Sequence, residues 1–103
     1  MARIQCDDAE KMLGKVPVEH VFRCSDGQIM TNMQELADAL ADMSDETFAY
    51  HSNEQKQDFS NWVRDVMGDQ KLARDLAKSI NRLQAAKRVE DRVAFLCVKV
   101  VPV

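Results

Sequence analysis

The sequence is short of the residues that interrupt regular structure. Its 103 residues include three glycines and two prolines, so long loops are not expected, because turns depend on these residues. The longest run of apolar residues, from Val93 to Val98, is too short to cross a bilayer. A chain of this length supports one hydrophobic core. We therefore expect a single domain over residues 1–103.

Cysteine pairs and a secretion signal are also missing. The three cysteines are widely spaced, and their odd number fits free thiols in a reducing compartment better than a disulfide framework. The first residues turn acidic at Asp7 before any apolar segment begins, unlike a signal peptide. We therefore expect a cytoplasmic protein with no membrane partner.

Motifs for catalysis or metal binding are absent as well. The sequence has no Gly-rich phosphate loop, no nucleophile elbow and no zinc-protease motif. His20 and Cys24 lie four residues apart, and Cys6, His51 and Cys97 could complete a tetrahedral zinc set. No Cys-x-x-Cys or His-x-x-x-His pair supports such a site. We expect no enzyme, no cofactor and no catalytic or metal residues.

Charge is distributed unevenly, although the net charge is only −3. Residues 1–70 carry 6 basic and 14 acidic side chains, whereas residues 71–103 carry 8 basic and 3 acidic ones. Such a chain can pair its charges internally, pair with a second copy, or offer a basic face to an anionic partner. The acidic side contains a ridge formed by Asp38, Asp42, Asp45 and Glu46.

The first third of the sequence predicts a short helix followed by a hairpin. Residues 7–13 fit a helix that Gly14 stops. Residues 18–30 fit a strand, a turn from Ser25 to Gln28, and a very short return strand at Ile29 and Met30. The outgoing strand is predicted from the alternation of Val18, His20, Phe22 and Cys24.

Helical periodicity dominates residues 32–96 and predicts a mainly α fold of five to six short helices with a minor strand pair. Thr31 or Asn32 is expected to cap the first of these helices, with Gln34 or Glu35 in a capping box. The expected core residues are Leu36, Leu40, Phe48, Phe59, Trp62, Val63, Val66, Leu72, Leu76 and Ile80.

A tight corner between two helices is the clearest local prediction. Ser44-Asp45 is expected to cap a helix that spans Asp45 to about Ser52, and the next helix starts near either Asn53 or Asp58. Apolar residues then recur at helical spacing from Phe59 to Met67. Gly68 is expected to end that helix, and Asp69 to cap the following one at once.

The end of the sequence leaves two alternatives open. The apolar stripe continues through Ile80 and Leu83, after which either the same helix goes on or a turn precedes a last helix over about 87–96. Residues 97–103 are rich in β-branched side chains and predict an extended tail. We expect a tail this apolar to pack either on the core or on another chain.

Three motifs stand out in the sequence: Phe48-x-Tyr50-His51, Asp58-Phe59-x-x-Trp62 and Gly68-Asp69-x-x-Leu72-Ala73. With these motifs the sequence resembles a small prokaryotic domain family of unknown function. The resemblance covers about three-quarters of the chain, from Pro17 to Leu96. It implies the helical fold and an accessory or binding module, with no activity attached. Family members carry Asn before the Asp-Phe pair, where this chain has Gln57.

His51 is the first candidate binding residue, together with Tyr50 and Trp62. A histidine among aromatic residues can contact a ligand or switch its charge near neutral pH. It can equally be structural, with its ring against Trp62 and a nitrogen bonded to a carboxylate such as Asp58. We favour the structural interpretation, because aromatic-rich corners usually belong to the core.

A basic stripe after the corner is the second candidate. The spacing of its cations resembles the second helix of a DNA-binding helix–turn–helix. The acidic whole protein argues against nucleic acid as the first choice. We therefore predict a non-catalytic protein-interaction or regulatory module, with homodimerisation as one mode of contact, nucleic-acid binding as the alternative, and a small ligand or metal site at His51 as the second alternative. The stripe consists of Lys71, Arg74, Lys78 and Arg82.

Overall fold

Six α-helices and a two-stranded antiparallel sheet make up the described part of the chain, which confirms the mainly α prediction. The computed structural model describes residues 6–100, with the side chains of residues 9–98. The elements are α1 (Cys6–Leu13), β1 (Phe22–Arg23), β2 (Ile29–Met30), α2 (Met33–Asp42), α3 (Asp45–His51), α4 (Asp58–Trp62), α5 (Gln70–Ala77) and α6 (Arg82–Val100).

The hairpin exists but is shorter than its alternating pattern predicts. Phe22 pairs with Met30 and Arg23 with Ile29, and Gly27 occupies the turn at φ 93°. The predicted strand at Val18 is wrong, because Val18–His20 forms a 3-10 turn instead. Pro17 fixes φ at −57° and its carbonyl accepts from the N–H of His20 at 2.8 Å, so the strand begins only after this turn.

Helix caps determine where α2 and α3 begin. The Asn32 side chain accepts from the N–H of Glu35 at 2.8 Å, and Glu35 reaches back to the N–H of Thr31 at 2.7 Å. This is a capping box displaced by one residue. Helix α2 ends at Asp42, and Ser44 caps α3 by accepting from the N–H of Thr47 at 3.1 Å, as expected.

The tight corner forms as predicted, and its preceding helix begins at Asp58. After Trp62 the backbone widens into a π-helical turn over Val63–Met67, which the apolar spacing alone did not indicate. Gly68 then adopts φ 75°, the left-handed conformation that suits glycine. Asp69 caps α5 by accepting from the N–H of Leu72 at 3.1 Å.

The apolar stripe beyond Leu76 does not continue the same helix. Helix α5 stops at Ala77, and Ser79 bonds back to it through its N–H and hydroxyl. Asn81 then caps α6 by accepting from the N–H of Gln84, so α6 starts earlier than the predicted residue 87. The predicted core position at Ile80 is wrong, because its side chain is 82% exposed, and Leu83 is 64% exposed.

Helix α6 is the centre of the fold and corrects the predicted C-terminal tail. It continues to Val100, so residues 97–100 are helical rather than extended, and residues 101–103 lie outside the described residues. Val89, Val93 and Leu96 are buried against the rest of the core, where α6 packs on α1, α2 and α5. This packing prevails over β propensity. None of the described helices has the length and apolarity needed to cross a membrane.

The remaining predicted core residues lie inside the domain. Phe48 and Val66 are half-buried and pack on the core. Buried core positions that the sequence predicted are Leu36, Leu40, Phe59, Trp62, Val63, Leu72 and Leu76.

Candidate functional site

His51 is buried, and both of its ring nitrogens have partners. Nδ1 lies 2.9 Å from Oδ2 of Asp58, and Nε2 accepts from the N–H of Ser25 at 3.0 Å. A nitrogen that accepts from an N–H carries no proton, so the proton of the neutral ring sits on Nδ1 and is donated to Asp58. His51 therefore fastens the hairpin turn to the start of α4.

This arrangement has the first half of a catalytic triad without the second. In a triad the carboxylate orients the imidazole, and the other nitrogen receives the proton of a nucleophile. Here the backbone N–H of Ser25 occupies Nε2. The ring also contacts Phe22 and Phe59, with centroids at 5.2 and 5.4 Å. These contacts agree with a structural role for His51.

Trp62 and Tyr50 flank this cluster in different ways. Trp62 is buried, and its Nε1 donates to the carbonyl of His20 at 2.7 Å. Phe22 lies against both Trp62 and His51, so the expected contact between these two rings is made through Phe22. Tyr50 is 57% exposed, with the ammonium of Lys56 4.1 Å from its ring centroid.

Gln57 precedes α4 as its N-cap residue without capping it. Its Nε2 donates instead to the carbonyl of Asn53 at 2.8 Å. Because Asn is among the best N-cap residues, we expect Gln57→Asn to raise the free energy of unfolding by about 0.5–1 kcal/mol in urea denaturation. Gln57→Ala is the matched control, since it also loses the bond to Asn53. Equal stability of the two variants would contradict the capping argument.

The cysteine and metal candidates do not converge. Cys24 is buried, and burial raises the pKa of its thiol above 9.0, so the unreactive thiol form prevails. His20 and Cys97 are exposed, and the side chain of Cys6 lies outside the described residues. Among the described residues, no three His, Cys, Asp or Glu side chains are grouped to hold a metal ion.

The corner contains a buried ion pair that the sequence did not reveal. Asp69 accepts from Nε of Arg92 at 2.7 Å and from Nη2 at 3.0 Å, and the two side chains are 1% and 9% exposed. Asp69 thus caps α5 and anchors α6 at the same time. Only its capping role could be predicted locally, because Arg92 lies 23 residues away.

Two of the four cations in the predicted basic stripe already have partners within the fold. Arg82 turns inward, where its Nη1 donates to the carbonyls of Leu40 and Ala41 at 2.8 Å each, and its Nε pairs with Asp45 at 2.9 Å. Lys71 pairs with Asp75 on the same helix at 2.9 Å. Within the part of the chain that the structure describes, Arg74 and Lys78 are exposed and form no ion pair.

Two exposed apolar side chains follow these two cations in the chain. Ile80 lies in the turn between α5 and α6, and Leu83 lies in the first turn of α6. Both are more than half exposed. We call the group of Arg74, Lys78, Ile80 and Leu83 the cationic corner. The sequence predicted its cations, but it predicted Ile80 as a core residue and Leu83 as a continuation of the apolar stripe.

A second surface feature is an acidic depression between the hairpin and α2. It has a volume of about 330 Å³. Ile29, 51% exposed, gives it an apolar element. Asp45 and Glu46 of the predicted ridge are exposed at the start of α3, outside this depression. The acidic depression is lined by Glu35, Asp38 and Asp42, together with Gln28, Ile29, Met30 and Ala39.

One wall of the depression makes stability depend on pH. The hydroxyl and N–H of Thr31 donate to Glu35 at 2.7 Å each and hold the pKa of that carboxyl below 4.5. A lowered pKa stabilises the fold above the unfolded value, and this contribution disappears as pH falls through the folded value. We expect Glu35→Gln to lower the melting temperature near neutral pH, with a difference that narrows below about pH 4.5. A difference independent of pH would contradict this account.

Comparison with protein-family models, curated proteins and solved structures finds no match for the chain. The resemblance to a prokaryotic domain family therefore stays a prediction, and the functional argument depends on the geometry of this chain.

Proposed function

We propose that this chain is a non-catalytic protein-interaction module whose contact surface is the cationic corner. The observation that carries this proposal is the exposure of Ile80 and Leu83, 82% and 64% respectively, together with two cations that form no ion pair among the described residues. Aliphatic side chains exposed together beside polar residues mark interaction sites more often than isolated exposed ones do. Two positive charges favour a partner surface that is acidic and partly apolar.

The geometry around His51 supports the non-catalytic part of the proposal. The imidazole uses Nδ1 for Asp58 and Nε2 for Ser25, so neither nitrogen is available to a substrate or a metal without breaking a bond that holds the hairpin. The nearby thiol of Cys24 is buried. A ligand site at His51 is therefore the weaker candidate.

Nucleic-acid binding is the alternative that the charges of α5 suggest. A groove-reading helix needs several cations directed toward phosphates. Arg82 instead caps α2, and Lys71 is paired with Asp75. The cationic corner keeps only Arg74 and Lys78 for an anion, which favours a protein surface with an apolar component.

A binding experiment with two matched variants tests the proposal. A protein captured from the source lysate by the immobilised wild type is purified, and its affinity is measured for Ile80→Ser/Leu83→Ser and for Val18→Ser. Val18 is the control, because its side chain is 71% exposed on the 3-10 turn. We expect the first variant to bind at least about tenfold more weakly, a change of about 1.4 kcal/mol, and the second to bind like the wild type. Equal affinity for all three, or a wild type that neither captures a protein nor associates with itself, would contradict the proposal.

A further inference from the structure

Arg82 connects the helix that carries Leu83 to the helix that lines the acidic depression. Nη1 of Arg82 donates to the carbonyls of Leu40 and Ala41, and its Nε donates to the carboxylate of Asp45. These bonds fix the first turn of α6 beside the last turn of α2. Leu83 follows Arg82 in the chain, and Asp42 follows Ala41. The start of α6 with Leu83 and the end of α2 with Asp42 therefore lie side by side.

The two parts complement each other in chemistry as well as in charge. The corner offers Arg74 and Lys78 with two exposed aliphatic side chains. The depression offers three carboxylates around the half-exposed Ile29, and its volume of about 330 Å³ leaves room for aliphatic side chains. Each part thus pairs an apolar contact with charges of the sign that the other lacks.

A surface with adjacent opposite charges is complementary to itself about a two-fold axis. Rotation by half a turn places the positive part of one copy on the negative part of the other, and the reverse contact forms at the same time. Such isologous contacts close after two subunits. The unequal division of charge along the sequence is the feature that makes this pairing available.

We infer that the partner of the cationic corner is a second copy of this chain, which inserts Ile80 and Leu83 into the acidic depression. The inference rests on the proposed function and names its partner. Arg74 and Lys78 of each copy face the carboxylates Asp38 and Asp42 of the other. Salt weakens the dimer, because exposed charges are screened within about 8 Å at physiological ionic strength.

A charge exchange between two variants tests this inference. Variant one is Arg74→Glu/Lys78→Glu, and variant two is Asp38→Lys/Asp42→Lys. Each variant alone places like charges across both contacts, whereas an equal mixture restores opposite charges in both. Analytical ultracentrifugation of each variant and of the mixture, over a range of protein concentrations at low and high salt, measures the association.

Controls that change the net charge equally separate this effect from general repulsion. Lys11→Glu/Arg88→Glu is the control for variant one, and Glu54→Lys/Glu90→Lys is the control for variant two. All four control side chains are exposed and lie outside both parts of the surface. Thermal melting of every variant checks that it folds, and the mixture tests the contact even if one variant is less stable.

The expected result is a salt-sensitive dimer of the wild type and of both controls. Variants one and two dimerise at least about tenfold more weakly, and their mixture forms a one-to-one dimer. A mixture that stays monomeric, or a wild-type dimer that neither variant weakens, overturns the inference. So does a wild type that stays monomeric at all concentrations. A monomer that still binds another acidic protein through Ile80 and Leu83 overturns this inference alone and leaves the proposed function standing.

Discussion

Replacing Asp69 by alanine is expected to lower the free energy of unfolding by about 3–5 kcal/mol. The reason is that Arg92 would keep its buried charge without a partner, since its guanidinium makes two bonds to Asp69 and its side chain is 9% exposed. The substitution also removes the cap of α5, which accepts from the N–H of Leu72. Urea denaturation followed by circular dichroism measures the loss.

Two further variants separate the buried charge from the cap. Asp69→Asn keeps an oxygen for the N–H of Leu72 but removes the charge, so it should also be strongly destabilising. Asp69→Asn/Arg92→Met removes the orphaned guanidinium as well and should be more stable than Asp69→Asn alone. Asp91→Ala breaks an exposed pair with Lys87 on the same helix and should have a much smaller effect. If Asp69→Ala unfolds no more readily than Asp91→Ala, the anchoring role is wrong.

Replacing His51 by alanine is expected to lower the free energy of unfolding by about 2–4 kcal/mol. The variant loses the ring contacts with Phe22 and Phe59 and leaves the N–H of Ser25 without its acceptor. Thermal or urea denaturation measures the change. Binding of a partner to the cationic corner should be unaffected in the folded variant.

Amide variants at His51 identify which of its two bonds matters more. His51→Gln can place an oxygen near the N–H of Ser25, whereas His51→Asn can place an N–H near Asp58. The Asp58 side chain is 31% exposed, and its carboxylate also lies 3.3 Å from the ammonium of Lys56. Without His51, Asp58 therefore keeps a partner and contact with water, whereas the N–H of Ser25 loses its acceptor. We therefore expect Gln to preserve more stability than Asn. Unchanged stability of His51→Ala, together with lost binding, would instead indicate a functional histidine.

Local chemistry explains most of what the sequence predicted correctly. Asn32, Ser44 and Asp69 begin helices because their side chains bond to backbone N–H groups within three residues. Gly68 ends a helix because its left-handed φ suits glycine. The bond between His51 and Asp58 spans seven residues, which is still close enough for a pattern to suggest it.

Tertiary contacts account for most of the errors. Ile80 continues an apolar stripe in the sequence, yet Ser79 and Asn81 end one helix and begin another around it. The β-branched end of the chain is helical as far as Val100, because buried residues of α6 pack on α1 and α2. Arg92 and Arg82 found partners 23 to 42 residues away, and no local pattern specifies such pairs.

The division between structural and functional residues follows from these contacts. The aromatic cluster around His51 and the buried pair of Asp69 and Arg92 use their polar atoms within the fold. The cationic corner leaves its apolar and charged groups exposed. The residues with the most distinctive sequence pattern therefore stabilise the fold, and we propose binding for the exposed residues of the cationic corner.

The most direct test of this division is a binding isotherm for the folded Ile80→Ser/Leu83→Ser variant. The ligand in this measurement is the partner of the wild type, which is either a captured protein or a second copy of the chain. The account predicts affinity at least about tenfold weaker, with a melting temperature equal to that of the wild-type monomer at low protein concentration, because both side chains are exposed in the monomer. Binding equal to that of the wild type would contradict it.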